Sequence, residues 1–331
     1  QLTVGALFRQ RAEYYGSKAL FLVPRAGGRR VVTWRQAAAR VERIARGLVA
    51  LDPENEPSPV AILCENSPEM ALIDLACLTG GLVDVMVPAN ATVEDVGYIL
   101  RHAGIRSVVV SDRRQLDKVL KNRERLPGLR TIVALELQGR RPEEVVGLGE
   151  VIAAAERVSS ADPAERAEKV RIDDLATVMY TSGTTGKPKG IRFSHRNLVF
   201  KRFARALALP EIGEGDTFLC FLPLYHTFGR YLEMLGCVFW GATYCFLENP
   251  SLEALVRGMQ HHRPTVFISV PKRRMQLHEI ITRKADPAHA SDQEQLAATQ
   301  QTTGGRLRWG LSAAGYLDPE IFRFFQHQGI E

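Results

Sequence analysis

The sequence predicts an α/β protein built on mainly parallel, doubly wound sheets, and three observations predict it. Short apolar segments alternate with amphipathic helical ones over most of the chain. Helix-opening signals follow those apolar segments closely: Ser67-Pro68, Thr92 with Glu94 and Asp95, and Asp318-Pro319. One strand, Leu175–Tyr180, leads straight into a turn rich in glycine and hydroxyls, the place where open α/β sheets bind ligands.

In chain order, Val4–Tyr15 reads as a helix, then Ala19–Val23 and Arg30–Thr33 as short strands. Thr33 is a suitable N-cap for a second helix, on which Val41, Ile44, Ala45 and Leu48 recur at helical spacing. The proline-rich run Asp52–Pro59 cannot continue a regular element and marks a lobe boundary. Val60–Cys64 is a strand, the helix opened by Ser67 runs to Thr79, and Leu82–Val87 is the next strand. Glu94 and Asp95 sit in the first turn of the helix that Thr92 opens, where the dipole favours negative charge. Ser107–Val110, a helix to Leu120 and Thr131–Leu135 repeat the pattern. A polar stretch, Gln138–Arg171, then separates these from Leu175–Tyr180. Ser194 caps a helix to Leu207, and Phe218–Leu222, Ala242–Leu247 and Pro264–Val270 follow as apolar strands, the last ended by Pro271. Asp286–Gly305 reads as a helix fading into a mobile loop, Arg306–Leu311 as a strand, and Asp318-Pro319 as the start of a final helix.

Composition excludes several classes. The 331 residues are 45% hydrophobic and 24% charged, enough apolar content for a sizeable core and against disorder. A formal charge of +6 favours anionic ligands, without the dense basic block of a nucleic-acid tail. No uncharged apolar run reaches the ~18 residues of a membrane span. Cys64, Cys77, Cys220, Cys237 and Cys245 are odd in number and lack CxxC spacing, which suits a reducing cytoplasm and excludes a disulfide scaffold. The start at Gln1 and the stop at Glu331 amid the alternation read as a piece of a longer protein.

The chemistry concentrates in Tyr180–Gly190, which reads Tyr-Thr-Ser-Gly-Thr-Thr-Gly-Lys-Pro-Lys-Gly. Gly183 and Gly186 permit positive φ and close backbone approach. Thr181, Ser182, Thr184 and Thr185 add hydroxyl donors, while Lys187 and Lys189 add charge. Successive N–H groups in such a turn form an anion nest suited to a polyphosphate. A Walker A loop is excluded: its first glycine would fall at Thr181, and Pro188 follows Lys187 where Ser or Thr is needed. Pro188-Lys189-Gly190 instead turns the chain into an extended segment, Ile191–Phe193.

This run resembles the phosphate-loop signature of adenylate-forming (AMP-binding) enzymes, the superfamily of acyl-CoA synthetases, luciferases and peptide-synthetase adenylation domains. Asp173–Met179 resembles the strand leading into that loop, and Leu222–Gly229 the aromatic and histidine motif lining the acyl pocket. Leu311–Glu320 resembles the segment whose backbone packs on adenine, with Ala313 and Ala314 where two glycines are common and Tyr316 where proline is. Pro264–Pro271, the basic helix after it and Arg306–Trp309 are most similar to the bacterial long-chain fatty acid–CoA ligase branch. The resemblance implies the large N-terminal domain of such enzymes, two flavodoxin-like lobes: residues 55–200, and 1–54 plus 201–331, with the active crevice between them.

It also implies two steps. A fatty carboxylate attacks the α-phosphorus of Mg-ATP, releasing pyrophosphate, and the thiol of coenzyme A then displaces AMP. Thr181, Ser182, Gly183, Thr184, Thr185, Gly186, Lys187 and Lys189 would hold the phosphates, with Lys189 offsetting their charge and Thr181 approaching Mg²⁺. Ala313, Ala314 and Gly315 would flank adenine; His226, Thr227 and Gly229 would line the acyl site, with His226 and Lys189 as the catalytic candidates. The metal-binding glutamate and the C-terminal lid of such enzymes would begin past Glu331, so the chain alone is expected not to turn over. The competing readings are an adenylating ligase for another carboxylic acid or a carrier-protein acceptor, and a silent acyl- or nucleotide-binding homologue. Among lesser candidates, His261-His262 suits a helix end where imidazolium meets the dipole. Lys272-Arg273-Arg274 reads first as a solvated face, and second as a contact for an anionic group of coenzyme A or a membrane surface.

Overall fold

The computed structural model describes residues 3–51, 59–157, 161–181 and 186–331. The first elements are α1 (Val4–Tyr15), β1 (Ala19–Arg25), β2 (Gly28–Thr33), α2 (Trp34–Leu51), β3 (Val60–Leu63), α3 (Pro68–Thr79) and β4 (Asp84–Met86). Then come α4 (Val93–His102), β5 (Ser107–Val110), α5 (Arg113–Leu120), β6 (Thr131–Ala134), β7 (Val145–Gly147), α6 (Leu148–Ala154) and α7 (Ala161–Lys169). Next are β8 (Leu175–Thr181), β9 (Lys189–Ser194), α8 (His195–Ala208) and β10 (Thr217–Leu219), and a π-helical segment, Phe228–Met234, that runs into α9 (Leu235–Trp240). The rest is β11 (Thr243–Cys245), α10 (Leu252–His262), β12 (Val266–Ser269), α11 (Pro271–Lys284), α12 (Asp292–Thr303), β13 (Trp309–Ser312) and α13 (Pro319–His327).

These elements form two compact units. The first holds a sheet of order β7-β6-β5-β3-β4-β8-β9, parallel except for the antiparallel hairpin β8–β9 at one edge. Strands β3 and β5 are buried at every residue, as expected where helices cover both faces of a parallel sheet. On one face Ala61, Leu63, Val108 and Val110 pack with Val96, Ile99, Leu116 and Val119 of α4 and α5. Nearly every residue of α3 is buried, the mark of a helix enclosed on all sides. Ser67 caps it, its hydroxyl accepting the Met70 N–H at 3.1 Å.

The second unit holds a sheet of order β13-β12-β10-β11-β1-β2, with its β10, β11, β12, β13 and β1 pairings parallel. Its core includes Phe21, Phe218, Tyr244, Phe246 and Phe267, all fully buried.

Three sequence expectations change. The first fifty residues do not go with the second lobe: residues up to Lys18 and from Thr33 belong to the first unit, and only Ala19–Val32 joins the second. The buried stripe of α2 (Ala37, Val41, Ile44, Leu48) packs with α1, α3 and α6, so it is held in the first unit. The Gln138–Arg171 stretch contains β7, α6 and α7, too short or too charged to show an apolar period, with Val145, Val151 and Ala154 buried. Asp286–Gly305 does not fade into a mobile loop. Ser291 and Glu294 form a capping box at the start of α12, and Gly304 closes it at φ 85°. The proline-rich 52–58 segment lies outside the described residues.

Candidate functional site

The β8–β9 hairpin sets the first half of the site. Tyr180 pairs with Gly190 and Thr181 with Lys189, so the two residues that flank the run face each other at the end of a two-stranded ladder. Ser182, Gly183, Thr184 and Thr185 lie outside the described residues. Gly186 takes φ 94°, a conformation that favours glycine. Lys189 is exposed, and the Lys187 ammonium stands 5.7 Å from the Tyr98 ring centroid. The hydroxyl of Tyr180 is 2.7 Å from His102 Nδ1, and Tyr98 stacks on His102 with centroids 5.3 Å apart. Burial, reinforced by Tyr98, pushes the Tyr180 phenol up from its ordinary value.

The second half is the turn from Pro223 to Gly229, which belongs to the same unit. The Leu224 N–H donates to Asn66 Oδ1 at 2.8 Å, and the His226 N–H to the Pro223 carbonyl at 3.0 Å. His226 is exposed and so is not a core histidine; Thr227 is half-buried and Gly229 buried. The Arg230 N–H then donates to the His226 carbonyl at 3.0 Å as the π-helical segment begins.

Beneath that turn lies a buried charge cluster that the motifs did not reveal. Arg230 is fully buried. Its Nε donates to Asp74 Oδ2 at 2.8 Å, Nη2 to both Asp74 and Asp84, and Nη1 to Thr177 Oγ1 at 2.7 Å. The Thr177 hydroxyl in turn donates to Asp84 Oδ1. Burial lifts the Asp84 carboxyl above its ordinary value, to about 7, against the pull of Arg230. A signal was legible: Asp74, Asp84 and Arg230 each interrupt an otherwise apolar run, and a buried charge needs partners.

In the second unit, the Ala313 N–H donates to the Ser269 carbonyl at 3.3 Å, and Ala314 adopts φ 65°. A left-handed alanine stands where glycine would be unstrained, so the turn persists despite the substitution. Gly315 and Tyr316 are exposed. A cavity of 440 Å³ adjoins this turn, lined by Ser312, Gly315, Leu317, Phe322 and Phe325, with Arg274 among its walls. Arg274 corrects the solvated-face reading of Lys272–Arg274: it is buried, donates to the Phe267 carbonyl at 3.0 Å, and lies over the rings of Phe267 and Phe325. His262 corrects the imidazolium reading. Burial, with His261 beside it, lowers its pKa to about 4, so the ring is neutral at the helix end.

The first unit therefore gathers Thr181, Gly186, Lys187, Lys189, His226, Thr227 and Gly229, whereas Ala313, Ala314 and Gly315 belong to the second. Among the described residues no group of three or more His, Cys, Asp or Glu side chains is placed to hold a metal. No helix there is long and apolar enough to cross a membrane.

A family model described as AMP-binding enzyme matches residues 8–331. Fatty acyl-CoA synthetase A of Dictyostelium discoideum is 26% identical over 352 residues, spanning 95% of this chain and 51% of that protein. Acyl-CoA ligase 891, peroxisomal, of Penicillium brevicompactum is 32% identical over 230 residues, spanning 64% of this chain and 31% of that one. Among solved structures, the adenylation domain of a carboxylate reductase from Mycobacterium chelonae matches with TM-score 0.80 at 20% identity, covering 99% of this chain and 56% of that one. The inhibitor-bound N-terminal domain of FACL13 from Mycobacterium tuberculosis matches at 0.76 and 19%, covering 99% and 74%. Both show a shared fold. The chain spans about half the length, or less, of these two relatives.

Proposed function

Since the chain belongs to the AMP-binding enzyme family, we propose that it serves an ATP-dependent fatty acid–CoA ligase. The observation that carries this reading is the hairpin mouth, where Thr181 and Lys189 face each other across the ends of β8 and β9 and frame the glycine and hydroxyl run. The backbone N–H groups and hydroxyls of that run bind the β- and γ-phosphates, and the Lys189 ammonium offsets their charge. Positioning and charge stabilisation dominate, because the protein contributes little covalent chemistry. A carboxylate oxygen of the fatty acid forms a bond to the α-phosphorus as the bond to pyrophosphate breaks. The thiolate sulfur of coenzyme A then attacks the acyl carbonyl carbon, and AMP leaves.

The Thr181 hydroxyl, a hard oxygen donor at the end of β8, would help to hold Mg²⁺. That ion neutralises charge on the phosphates when bound. His226, exposed on a turn closed by two backbone hydrogen bonds, is the side chain this reading gives to the acyl site, together with Thr227 and Gly229. Ala313, Ala314 and Gly315 offer a backbone turn for adenine. Peripheral contact with a lipid surface belongs to the same reading: Phe200, Phe203 and Leu207 share an exposed face of α8, with Arg196 over the Phe200 ring and Lys201 beside it.

The test is ATP–pyrophosphate exchange by the intact protein across long-chain fatty, aryl and amino acids, followed by acyl transfer to coenzyme A or a carrier protein. Exchange led by fatty acids, with thioester formed on coenzyme A, is expected. Exchange only with aryl or amino acids would move the reading to another adenylating ligase, and none at all to a silent binding homologue.

A further inference from the structure

The segment after His226 touches both strands that flank the phosphate loop. Arg230 donates to Thr177, on β8, four residues before Thr181. The next residue, Tyr231, packs its ring edge-on against Phe193, on β9, four residues after Lys189, with centroids 5.0 Å apart. All of these residues lie in one unit.

The chemistry of the cluster is more than stability requires. Two carboxylates and one guanidinium are all but completely buried, and a buried ion cluster is seldom more stabilising than apolar side chains of the same volume. What it supplies is direction. The Nε/Nη2 edge of the guanidinium is held by Asp74 of α3 and by Asp84 of β4, which leaves Nη1 aimed at the Thr177 hydroxyl. A planar fork held on one edge cannot rotate away from the group on the other. The host segment is π-helical, a geometry that recurs at functional sites.

We propose that Arg230 is a positioning residue, which locks the acyl-side turn Pro223–Gly229 to the β8–β9 hairpin so that His226 keeps one fixed placement relative to Thr181 and Lys189 at the hairpin's end. The proposal rests on the function given above. Arg230 does not touch substrate; it acts through His226 on one side and Thr177 on the other.

Removing Arg230 strands two buried carboxylates and threatens folding, so the informative changes are Thr177→Val, which keeps the β-branched shape without the hydroxyl, and Thr177→Ser, which restores it. In the intact protein, assayed well below the melting temperature of each variant, Thr177→Val is expected to lower kcat of ATP–pyrophosphate exchange by about tenfold, with KM for ATP and fatty acid changed by less than about threefold. Thr177→Ser is expected to recover kcat to within about twofold of the original. An unchanged kcat in Thr177→Val, or a loss that Thr177→Ser does not recover, would overturn the proposal. Amide hydrogen exchange separates this from failure of the functional reading. Even if no acid supports pyrophosphate exchange, Thr177→Val should speed amide exchange selectively in 175–181 and 223–229, and no change or a uniform rise across the first unit would overturn it.

Discussion

Gly190 leaves room for the phenol end of Tyr180: a Cβ added to Gly190 would stand 3.0 Å from the Tyr180 Cζ. The ring has little room to yield, because its hydroxyl is held by His102 at 2.7 Å. Gly190→Ala should therefore distort the hairpin that frames the phosphate loop and cost about 1–3 kcal/mol in denaturant unfolding. Weaker ATP binding should accompany that loss. A variant as stable as the parent, with the same ATP affinity, would show that the close approach is incidental.

Ala314 makes the opposite prediction. At φ 65° it occupies a conformation that glycine adopts freely, and its side chain is exposed, so nothing buried is lost on removing it. Ala314→Gly should raise stability by about 0.5–1 kcal/mol, the relief of left-handed strain exceeding the added chain entropy of glycine. A fall in stability measured by urea titration would contradict this.

Asp84 gives a pH signature with a definite sign. An aspartate in the unfolded chain titrates near ~4, while burial raises the folded carboxyl to about 7 despite Arg230. The folded state therefore binds the proton more tightly. The resulting stabilisation is complete below the unfolded pKa and is lost as pH rises through the folded value. Asp74, Arg230 and Thr177 face this carboxyl, and only Asp84 is changed by Asp84→Asn. Relative to Asp84→Asn, the parent should lose stability progressively from about pH 4 to about pH 7 and then level off. A difference that is flat over that range would show that Asp84 stays ionised when buried.

Much of the fold was legible because its signals are local. Ser67, Thr92, Ser194 and Asp318 each cap the helix expected of them, and strands such as Ser107–Val110 carry unbroken apolar runs. Short β7 and the charged α7 carry no such signal, and their placement comes from tertiary packing. The assignment of α2 was illegible for the same reason, since an apolar stripe says that a helix is buried and not against which sheet. In the site, Thr181, Lys187 and Lys189 are candidates because they sit in one contiguous run, Tyr180–Gly190. Arg230, Asp74, Asp84 and Thr177 come from four elements, and no spacing rule joins residues up to 156 positions apart. Their common sign was a charge or hydroxyl inside an apolar run, which predicts burial and a partner without naming the partner.

The central claim is that the loop between Thr181 and Lys189 grips the phosphates of ATP. Calorimetric titration of Mg-ATP into the parent and into Lys189→Met tests it most directly, since Lys189 is exposed and its replacement should leave the fold intact. A charge-assisted contact to phosphate predicts affinity weaker by about tenfold or more in Lys189→Met, with an unchanged melting temperature. Equal affinity in the two proteins would contradict the account.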